Sequence, residues 1–251
     1  MSNYYRTISL ENGDPFALDL ENDEVIHIKP SDNKDELLKE YPSKMYEKVK
    51  LQHIPDTSKD REVLYICGPS GSGKTYYANK YLHYLTQLHD EKKIFLFTPK
   101  DEDISIDIPD IIKIDLYDES ILNDPISYKE LEDSICFFDD FEGIENQKVK
   151  DMILDLINSI ILCGRDLHID CIIICHKISD GAKTSNFLNE CDSLTFFPYS
   201  GSSYQIKTRL KNYYDFDKDL LKYVLNVPSR WCTIFNKHPR RILHENGVRL
   251  L

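Results

Sequence analysis

Past its first 60 residues, the chain alternates short apolar runs of strand type with longer stretches of helical periodicity. Strands are predicted over residues 63–67, 94–97, 111–116, 134–138, 171–175 and 194–197. Helices are predicted over residues 75–88, where Tyr77, Tyr81 and Leu85 recur at helical spacing, and over residues 146–162. This alternation predicts an α/β domain with a mostly parallel sheet and helices on both faces.

The first 60 residues are polar, with short apolar patches and no motif that indicates a function. Residues 24–29 are a β-branched run, which predicts a strand or one arm of a hairpin. Residues 32–50 predict a charged, exposed helix interrupted at Pro42. We therefore divide the chain into a small N-terminal extension, residues 1–60, and a second domain, residues 61–251.

The 251 residues carry a formal net charge of −12. This acidity argues against a protein that coats nucleic acid nonspecifically, because such binding depends on positive charge. A local basic loop, or the pore of an oligomer, would still allow DNA binding. We expect no transmembrane segment, since no apolar run reaches the length that spans a bilayer.

Cysteine usage indicates a reducing, cytosol-like compartment. The number of cysteines, seven, is odd, several lie in apolar runs, and no signal-peptide pattern is present. Cys171 and Cys175 belong to a predicted buried strand and have no second pair of ligands nearby in the sequence. We therefore interpret the cysteines as reduced core residues rather than zinc ligands.

Residues 68–75 carry the most specific chemical pattern. They form a complete G-x-x-x-x-G-K-[ST] phosphate-binding loop with the sequence Gly68-Pro69-Ser70-Gly71-Ser72-Gly73-Lys74-Thr75. Placed between a predicted strand and helix, its backbone N–H groups and the helix N-terminus would cradle a phosphate. Lys74 is predicted to reach the β- and γ-phosphates, Thr75 to hold Mg²⁺, and Tyr76 to extend the nucleotide-binding segment.

A second pattern stands where the predicted strand 134–138 runs into Asp139 and Asp140. Asp139 would hold Mg²⁺, often through water, and Asp140 would orient or deprotonate an attacking water. Alone, two acids at a strand exit are equally consistent with solvated carboxylates. Paired with the phosphate loop they indicate hydrolysis, while Glu142 is interpreted more simply as a solvated loop acid.

The order of the motifs separates two branches of nucleotide-binding proteins. At least one predicted strand lies between the phosphate loop and the two acids in the sequence. This resembles the ATPase branch, in which an extra strand is inserted beside the phosphate-loop strand and an acid activates water. The kinase–GTPase branch usually places the two motifs on neighbouring strands.

Residues 164–177 add a third pattern. Gly164-Arg165 is followed by a short turn with an isoleucine, an apolar strand and then His176-Lys177. In combination with the two motifs above, this resembles the FtsK–HerA superfamily of DNA-pumping ATPases. The chain is most similar to the genome-packaging ATPases of poxviruses, other large DNA viruses and virophages, whose final strand commonly ends in Phe-Pro, as Phe197-Pro198 does.

The resemblance covers about residues 61–251 and implies a RecA-like (ASCE) P-loop core that hydrolyses ATP with Mg²⁺. It further implies a homo-oligomeric ring that pumps double-stranded DNA into a capsid, with a capsid protein as a possible further partner. The implied location is the cytoplasm or virus factory of an infected cell, or the virion itself.

Two further catalytic residues follow from the resemblance. The family uses an arginine from the neighbouring subunit to stabilise charge on the transferring phosphate, and Arg165 is the candidate here. An exposed arginine at a helix end is the alternative interpretation. His176 stands at the polar sensor position, where the family often has Gln, and it could instead simply cap a strand.

Several basic or aromatic segments are candidates for DNA contact, although each could be an ordinary solvated face. The candidates are residues 177–183, residues 207–211 with Tyr204, Tyr213 and Tyr214, Trp231, and the pair Arg240-Arg241. Arg209, Arg240 and Arg241 are also weaker candidates for the trans-acting arginine.

Two other functions stay open at this point. One is a nucleotide-binding switch or assembly factor that acts on protein partners, which the acidic composition slightly favours. The other is a small-molecule kinase, which the absence of an arginine-rich lid late in the core sequence disfavours.

Overall fold

The structure is a computed structural model, and it describes residues 5–31, 39–42, 48–101, 106–179, 182–200 and 202–251. The strands are β1 (Tyr5–Ser9), β2 (Asp14–Asp19), β3 (Glu24–Ser31), β4 (Glu40–Tyr41), β5 (Leu51–His53), β6 (Val63–Cys67), β7 (Lys93–Thr98), β8 (Ile111–Asp115), β9 (Ser134–Phe138), β10 (Asp170–Cys175), β11 (Ser193–Phe196), β12 (Cys232–Phe235), β13 (Arg241–His244) and β14 (Gly247–Leu250). The helices are α1 (Lys74–Leu88), α2 (Gln147–Cys163), α3 (Ala182–Glu190), α4 (Ser203–Tyr214) and α5 (Lys218–Leu225).

A ten-stranded sheet forms the centre of the molecule, in the order β4-β14-β13-β12-β11-β6-β10-β9-β7-β8. The strands from β6 to β11 pair in parallel, which confirms the predicted parallel core. Strands β6, β9 and β10 are buried along their whole length, as their unbroken apolar runs require. Strand β10 lies between β6 and β9, so it is the inserted strand that the motif order predicts.

Two apolar layers cover the sheet. On one face, residues of β6, β9 and β10 pack with α2, α3, α4 and α5. On the other face, Leu64 and Ile66 pack with Tyr77, Tyr81 and Leu82 of α1 and with the N-terminal strands. The prediction of helices on both faces is confirmed, with a small sheet sharing the second face.

The N-terminal strands form an antiparallel sheet of order β1-β3-β2-β5. Strand β3 confirms the strand predicted over residues 24–29. Phe16, Ile26 and Ile28 are buried in the same apolar cluster as Tyr77 of α1, so this small sheet packs directly on the first helix of the core. The division of the chain at residue 60 stays a prediction about its domains.

The sheet also extends beyond its parallel part through antiparallel strands that the sequence pattern did not reveal. Strands β12, β13 and β14 follow β11 as successive antiparallel neighbours, and β4 pairs with β14 through Tyr41 and Val248. Residues 40–41 were expected in a helix, but the strand at the sheet edge satisfies their backbone groups instead. The other parts of that predicted helix, residues 32–38 and 43–47, lie outside the described residues.

Buried charged side chains connect the amino ends of the parallel strands through hydrogen bonds and an ion pair. Asp170 accepts the backbone N–H of Glu62 at 2.7 Å and the Nζ of Lys92 at 2.8 Å, while Asp192 accepts the N–H of Val63 at 2.7 Å. Burial raises the pKa of the Asp170 carboxyl, and the Lys92 ammonium opposes that effect. These ties fix the relative register of β6, β10 and β11, which positions the opposite, carboxyl ends.

All seven cysteines are free, and all but Cys163 are buried, which agrees with their interpretation as core residues. Within the described ranges, no helix is both long enough and apolar enough to cross a membrane.

Candidate functional site

The phosphate-binding loop connects β6 to α1 at the carboxyl edge of the parallel strands. Gly71 and Gly73 have φ angles of +76° and +100°, a conformation that favours glycine. At Gly68, a Cβ atom would lie 2.9 Å from the ring of Phe197, and the Gly68 N–H donates to the carbonyl of Cys175 at 3.1 Å. The loop is therefore fixed by the ends of both neighbouring strands, β10 and β11.

Lys74 begins α1 and folds back over the loop, where its Nζ donates to the carbonyl of Pro69 at 3.1 Å. Burial lowers the pKa of the ammonium, while the nearby carboxylates of Asp140 and Asp139 act in the opposite direction. The Ser72 hydroxyl is buried and has no hydrogen-bond partner among the described residues. This part of the site therefore holds several hydrogen-bond donors that could bind the oxygens of a phosphate.

Asp139 and Asp140 follow β9 and lie at the same edge as the loop. Asp139 is 1% exposed, and its N–H donates to the carbonyl of Phe97 at 3.0 Å, which holds it against β7. Asp140 has a φ of +54°, a left-handed conformation that turns the chain immediately after the buried acid. The turn places two consecutive carboxylates on the same side, within reach of one cation.

That cation is Lys100, which sequence reasoning missed. Its Nζ lies 2.9 Å from Oδ2 of Asp139 and 2.8 Å from Oδ2 of Asp140. Burial would raise the pKa of Asp140, but the hydrogen bond and charge of Lys100, with a contribution from His176, lower it overall. The Asp140 carboxylate is therefore held in its ionised form. The available signal was weak, namely a lone lysine three residues past the strand predicted over residues 94–97.

His176 lies at the end of β10, beside the acids, as the resemblance implied. Its Nε2 is 3.1 Å from Oδ1 of Asp140, and its backbone N–H donates to the carboxylate of Glu142. Glu142 was interpreted as a solvated loop acid, and this is corrected, because its side chain is partly buried and anchors the end of β10. The catalytic roles of His176 and Asp140 stay predictions.

The structure does not bring Arg165 to this site. Arg165 is exposed in the turn that precedes β10, at the amino edge of the sheet, opposite the phosphate loop. The last carbonyls of α2 are instead capped by Arg61, whose Nη2 donates to Ile160 at 2.8 Å and to Ile161 at 3.2 Å. Arg165 therefore cannot contact a nucleotide bound at the phosphate loop of its own chain, and its role stays a prediction.

Two of the candidate DNA-contacting segments are corrected because their residues belong to the core. Trp231 is buried with its ring 5.0 Å from that of Tyr77. Arg241 is buried with its guanidinium 4.4 Å and 3.8 Å from the ring centroids of Phe16 and Phe235, and burial lowers its pKa to about 10. Neither side chain can reach DNA.

Arg240 donates to the carbonyl of Tyr214 at 2.8 Å, and Tyr214 itself is buried. The other residues of this patch lie on α4, where Tyr204, Lys207 and Lys211 are exposed. The role of that helix in DNA contact stays a prediction.

Lys177, the first residue of the other candidate segment, is exposed next to His176. Residues 180–181 of this segment lie outside the described residues, as does the side chain of Lys183. Its predicted contact with DNA is likewise untested.

The donors at the site suit a magnesium ion that arrives with a nucleotide. Thr75, in the first turn of α1, offers a hydroxyl, and Asp139 offers a carboxylate at the facing strand end. Mg²⁺ is commonly held by one or two protein oxygens, with phosphates and water completing its octahedron. Among the described residues there is no cluster of three or more His, Cys, Asp or Glu side chains able to hold a metal by themselves.

Comparisons with known proteins identify relatives of this chain. No family model matches it. A protein of Sputnik virophage named "Uncharacterized protein V3" is 37% identical over 194 residues, which cover 76% of this chain and 78% of the virophage protein. That identity over most of both chains establishes common ancestry.

Solved structures establish the fold. The genome packaging NTPase B204 of Sulfolobus turreted icosahedral virus 2, in complex with sulfate, aligns with a TM-score of 0.50 at 10% identity, covering 76% of this chain and 97% of that one. The cytoplasmic domain of the Type VII secretion ATPase EccC of Thermomonospora curvata aligns with a TM-score of 0.50 at 13% identity, covering 92% and 28%.

These alignments confirm the predicted RecA-like P-loop ATPase fold. Strand β10 lies between the phosphate-loop strand and the strand that ends in two acids, as expected for the ATPase branch. The chain thus belongs to the same family as protein V3 of Sputnik virophage, and its fold is that of the RecA-like P-loop ATPases.

Proposed function

We propose that this protein is a Mg-ATP-driven motor that packages viral double-stranded DNA into a capsid. The observation that carries the proposal is the arrangement of a complete phosphate loop and two adjacent acids, Asp139 and Asp140, around the inserted strand β10. It occurs in a relative of a virophage protein, on the fold of a viral NTPase whose name states genome packaging.

The phosphates would be bound by the loop N–H groups and by Lys74. The buried ammonium of Lys74 already lies within reach of the loop carbonyls, so little reorganisation is needed when phosphate oxygens replace that contact. Thr75 and Asp139 would hold Mg²⁺, which neutralises charge on the β- and γ-phosphates. Lys100 contacts both carboxylates and helps to lower the pKa of Asp140.

Asp140 would act as the base. Its carboxylate orients a water for attack on the γ-phosphorus; the water oxygen bonds to phosphorus, the bond to the β–γ bridging oxygen breaks, and the proton passes to Asp140. His176, 3.1 Å from the other oxygen of that carboxylate, fixes its orientation. The products are ADP and inorganic phosphate.

A ring of identical subunits would complete the site. Arg165 projects from the edge of the sheet opposite the phosphate loop, so it would serve the nucleotide of a neighbouring subunit. An arginine supplied in this way raises turnover by roughly 10³–10⁵-fold in other phosphoryl-transfer enzymes. Lys177 and the exposed basic residues of α4 would contact DNA, and the motor would act in the infected cell or at the virion, docked to a capsid protein.

The test measures steady-state ATP hydrolysis with and without long double-stranded DNA, for the wild type and for Lys74→Ala. We expect DNA to stimulate hydrolysis and Lys74→Ala to abolish it with and without DNA. An Arg165→Ala subunit should lower the activity of wild-type subunits when the two are mixed, because it removes a group that acts in trans. Mixed activity equal to the sum of the separate activities would contradict a trans role.

A second candidate function is a nucleotide-dependent assembly switch that acts on protein partners. The net charge of −12 favours it, because an acidic surface repels DNA. It predicts nucleotide binding with slow turnover and no response to DNA. Hydrolysis that is indifferent to DNA over a range of salt concentrations would support the switch and reject the motor.

A further inference from the structure

A cavity of about 100 Å³ opens on the side of the phosphate loop that faces away from the two acids. The sheet order explains the separation, because β10 and β9 lie on one side of β6 and β11 and β12 lie on the other. Asp139 and Asp140 belong to the first side. The cavity belongs to the second, where it meets the loop at Ser72 and Gly73 and the first turns of α1 at Tyr76.

We propose that this cavity receives the base of the nucleotide, with the ribose at its opening, and that the N-terminal sheet thereby takes part in nucleotide binding. The inference deepens the proposed function and rests on it. A triphosphate is a linear chain, and hydrolysis requires its γ end to lie beside Asp140 and Lys100. The α-phosphate and the nucleoside must then extend from the loop past Gly73 and Tyr76. Both residues line the cavity, so this path leads into it.

The aromatic side chains that line the cavity suit the flat ring of a nucleobase. Tyr76 presents its ring with 57% of the residue exposed, although it is a large aromatic side chain on the first turn of α1. Trp231 and Tyr77 form the buried floor. Aromatic faces of this kind stack on any nucleobase, because every base has a π-face.

The opposite wall comes from the N-terminal sheet. Leu20 follows directly after β2, and Leu51 and Gln52 belong to β5; all three line the cavity. Leu20 is an apolar side chain that remains 45% exposed beside a phosphate-binding loop. This arrangement gives the first 60 residues, which carry no recognisable motif, a place in the nucleotide site.

The charge around the cavity also fits a nucleotide. Lys50, Lys80 and Arg230 line it, against one acid, Glu245, in a protein whose net charge is −12. Arg230 is held by that acid, through Nε and Nη2 at 3.2 Å and through its backbone N–H at 2.8 Å. A local excess of cations in an acidic protein raises the local concentration of an anionic nucleotide as it approaches the site.

The experiment compares the binding of Mg-ATP and of Mg-tripolyphosphate, which lacks a base and ribose, by titration calorimetry. Tyr76→Ala and Leu20→Ala are tested against the matched control Tyr117→Ala, an equally exposed tyrosine (60%) past the edge strand β8. We expect Tyr76→Ala to weaken ATP binding about tenfold, given the usual strength of base–aromatic stacking, and to leave tripolyphosphate binding unchanged. Leu20→Ala should act in the same direction, and Tyr117→Ala should change neither.

A photolabel supplies an independent readout. Irradiation of the wild type with 2-azido-ATP should attach the base to peptides that contain residues 20, 50–52 or 76. Labelling elsewhere, or equal weakening of ATP and tripolyphosphate by Tyr76→Ala, would overturn the inference while leaving the proposed motor intact. A wild type that binds neither ligand would overturn both.

Discussion

The two ends of the parallel strands carry similar sets of charged residues but use them differently. At the amino end, Glu62, Asp170 and Lys92 are buried. Asp170 accepts from Lys92 and from the backbone N–H of Glu62, and the Glu62 carboxylate accepts from Lys59. At the carboxyl end, Asp140 and Lys100 remain partly open to solvent. The same chemistry therefore serves stability at one end and is available to a ligand at the other.

The pKa values follow this difference. Burial raises the pKa of Glu62 and of Asp170 despite their lysine partners. Burial acts in the same direction on Asp140, but Lys100 and His176 outweigh it and lower the pKa. Solvent access and the number of cationic partners, rather than the presence of acids at a strand end, distinguish a candidate active site from a structural network.

The largest effect should come from Asp140→Asn at the carboxyl end. We expect turnover to fall by about 10²–10⁴-fold, the usual contribution of a general base, with little change in the denaturant midpoint. Asparagine keeps the size of the side chain and tolerates the left-handed conformation at this position. Steady-state hydrolysis and urea unfolding of the same preparation measure both quantities.

A large loss of stability in Asp140→Asn would contradict the difference between the two ends, because it would mean that the acids at the carboxyl end also stabilise the fold. Unchanged turnover would remove Asp140 from the chemistry.

The next effect should come from Lys92→Met at the amino end. Its side chain is 4% exposed and bridges Asp170 at 2.8 Å and the carbonyl of His168 at 2.7 Å. Removing the ammonium leaves a buried carboxylate without its cation, which should lower the free energy of unfolding by about 3–5 kcal/mol. Urea unfolding followed by circular dichroism measures this change.

The matched control is Lys237→Met, at a lysine whose side chain is 64% exposed and paired with Asp192. It should cost less than about 1 kcal/mol, because this lysine is exposed and the buried Asp192 keeps the N–H of Val63 and the Nζ of Lys59 as partners. Equal losses in the two variants would show that burial does not decide the strength of these pairs.

The smallest effect concerns pH and a buried histidine that belongs to neither end. His244 accepts the N–H of Asn246 through Nδ1 at 3.3 Å, and its Nε2 lies 3.1 Å from the hydroxyl of Tyr223. Burial lowers the pKa of His244 to about 4, with a small opposing contribution from Glu245. The unfolded chain, with a histidine pKa near its usual ~6.5, then binds a proton more readily than the folded protein.

The contribution of His244 is therefore complete above about pH 6.5 and is lost as the pH falls towards about 4. We expect the stability difference between the wild type and His244→Gln to shrink by about 2 kcal/mol between pH 7 and pH 4.5. Urea unfolding at several pH values follows the difference, and a difference that does not vary with pH would contradict the assignment.

The sequence was sufficient for the parallel core, because each central strand is a continuous apolar run with a clear end. It also predicted α2 well, since Asn146 caps the helix by accepting the N–H groups of Lys148 and Val149. The phosphate loop, Asp139 and Asp140 were found for the same reason, as motifs attached to strand ends.

Other features depend on contacts that no local pattern encodes. Lys100 joins the acids only because β7 is the neighbour of β9 in the sheet. Arg241 looks like a surface cation in the sequence, yet it is buried between two aromatic rings. Strand β4 forms only by pairing with β14, which lies more than 200 residues away in the sequence. Such pairings are decided by tertiary packing rather than by propensity.

The cavity beside the phosphate loop has a consequence for biosynthesis. Its lining residues are spread along the sequence from Leu20 to Glu245. A nascent chain that has already produced the phosphate loop still lacks Arg230, Trp231 and Glu245. The complete cavity therefore forms only after the segment that carries Glu245 has been translated, long after the phosphate loop itself.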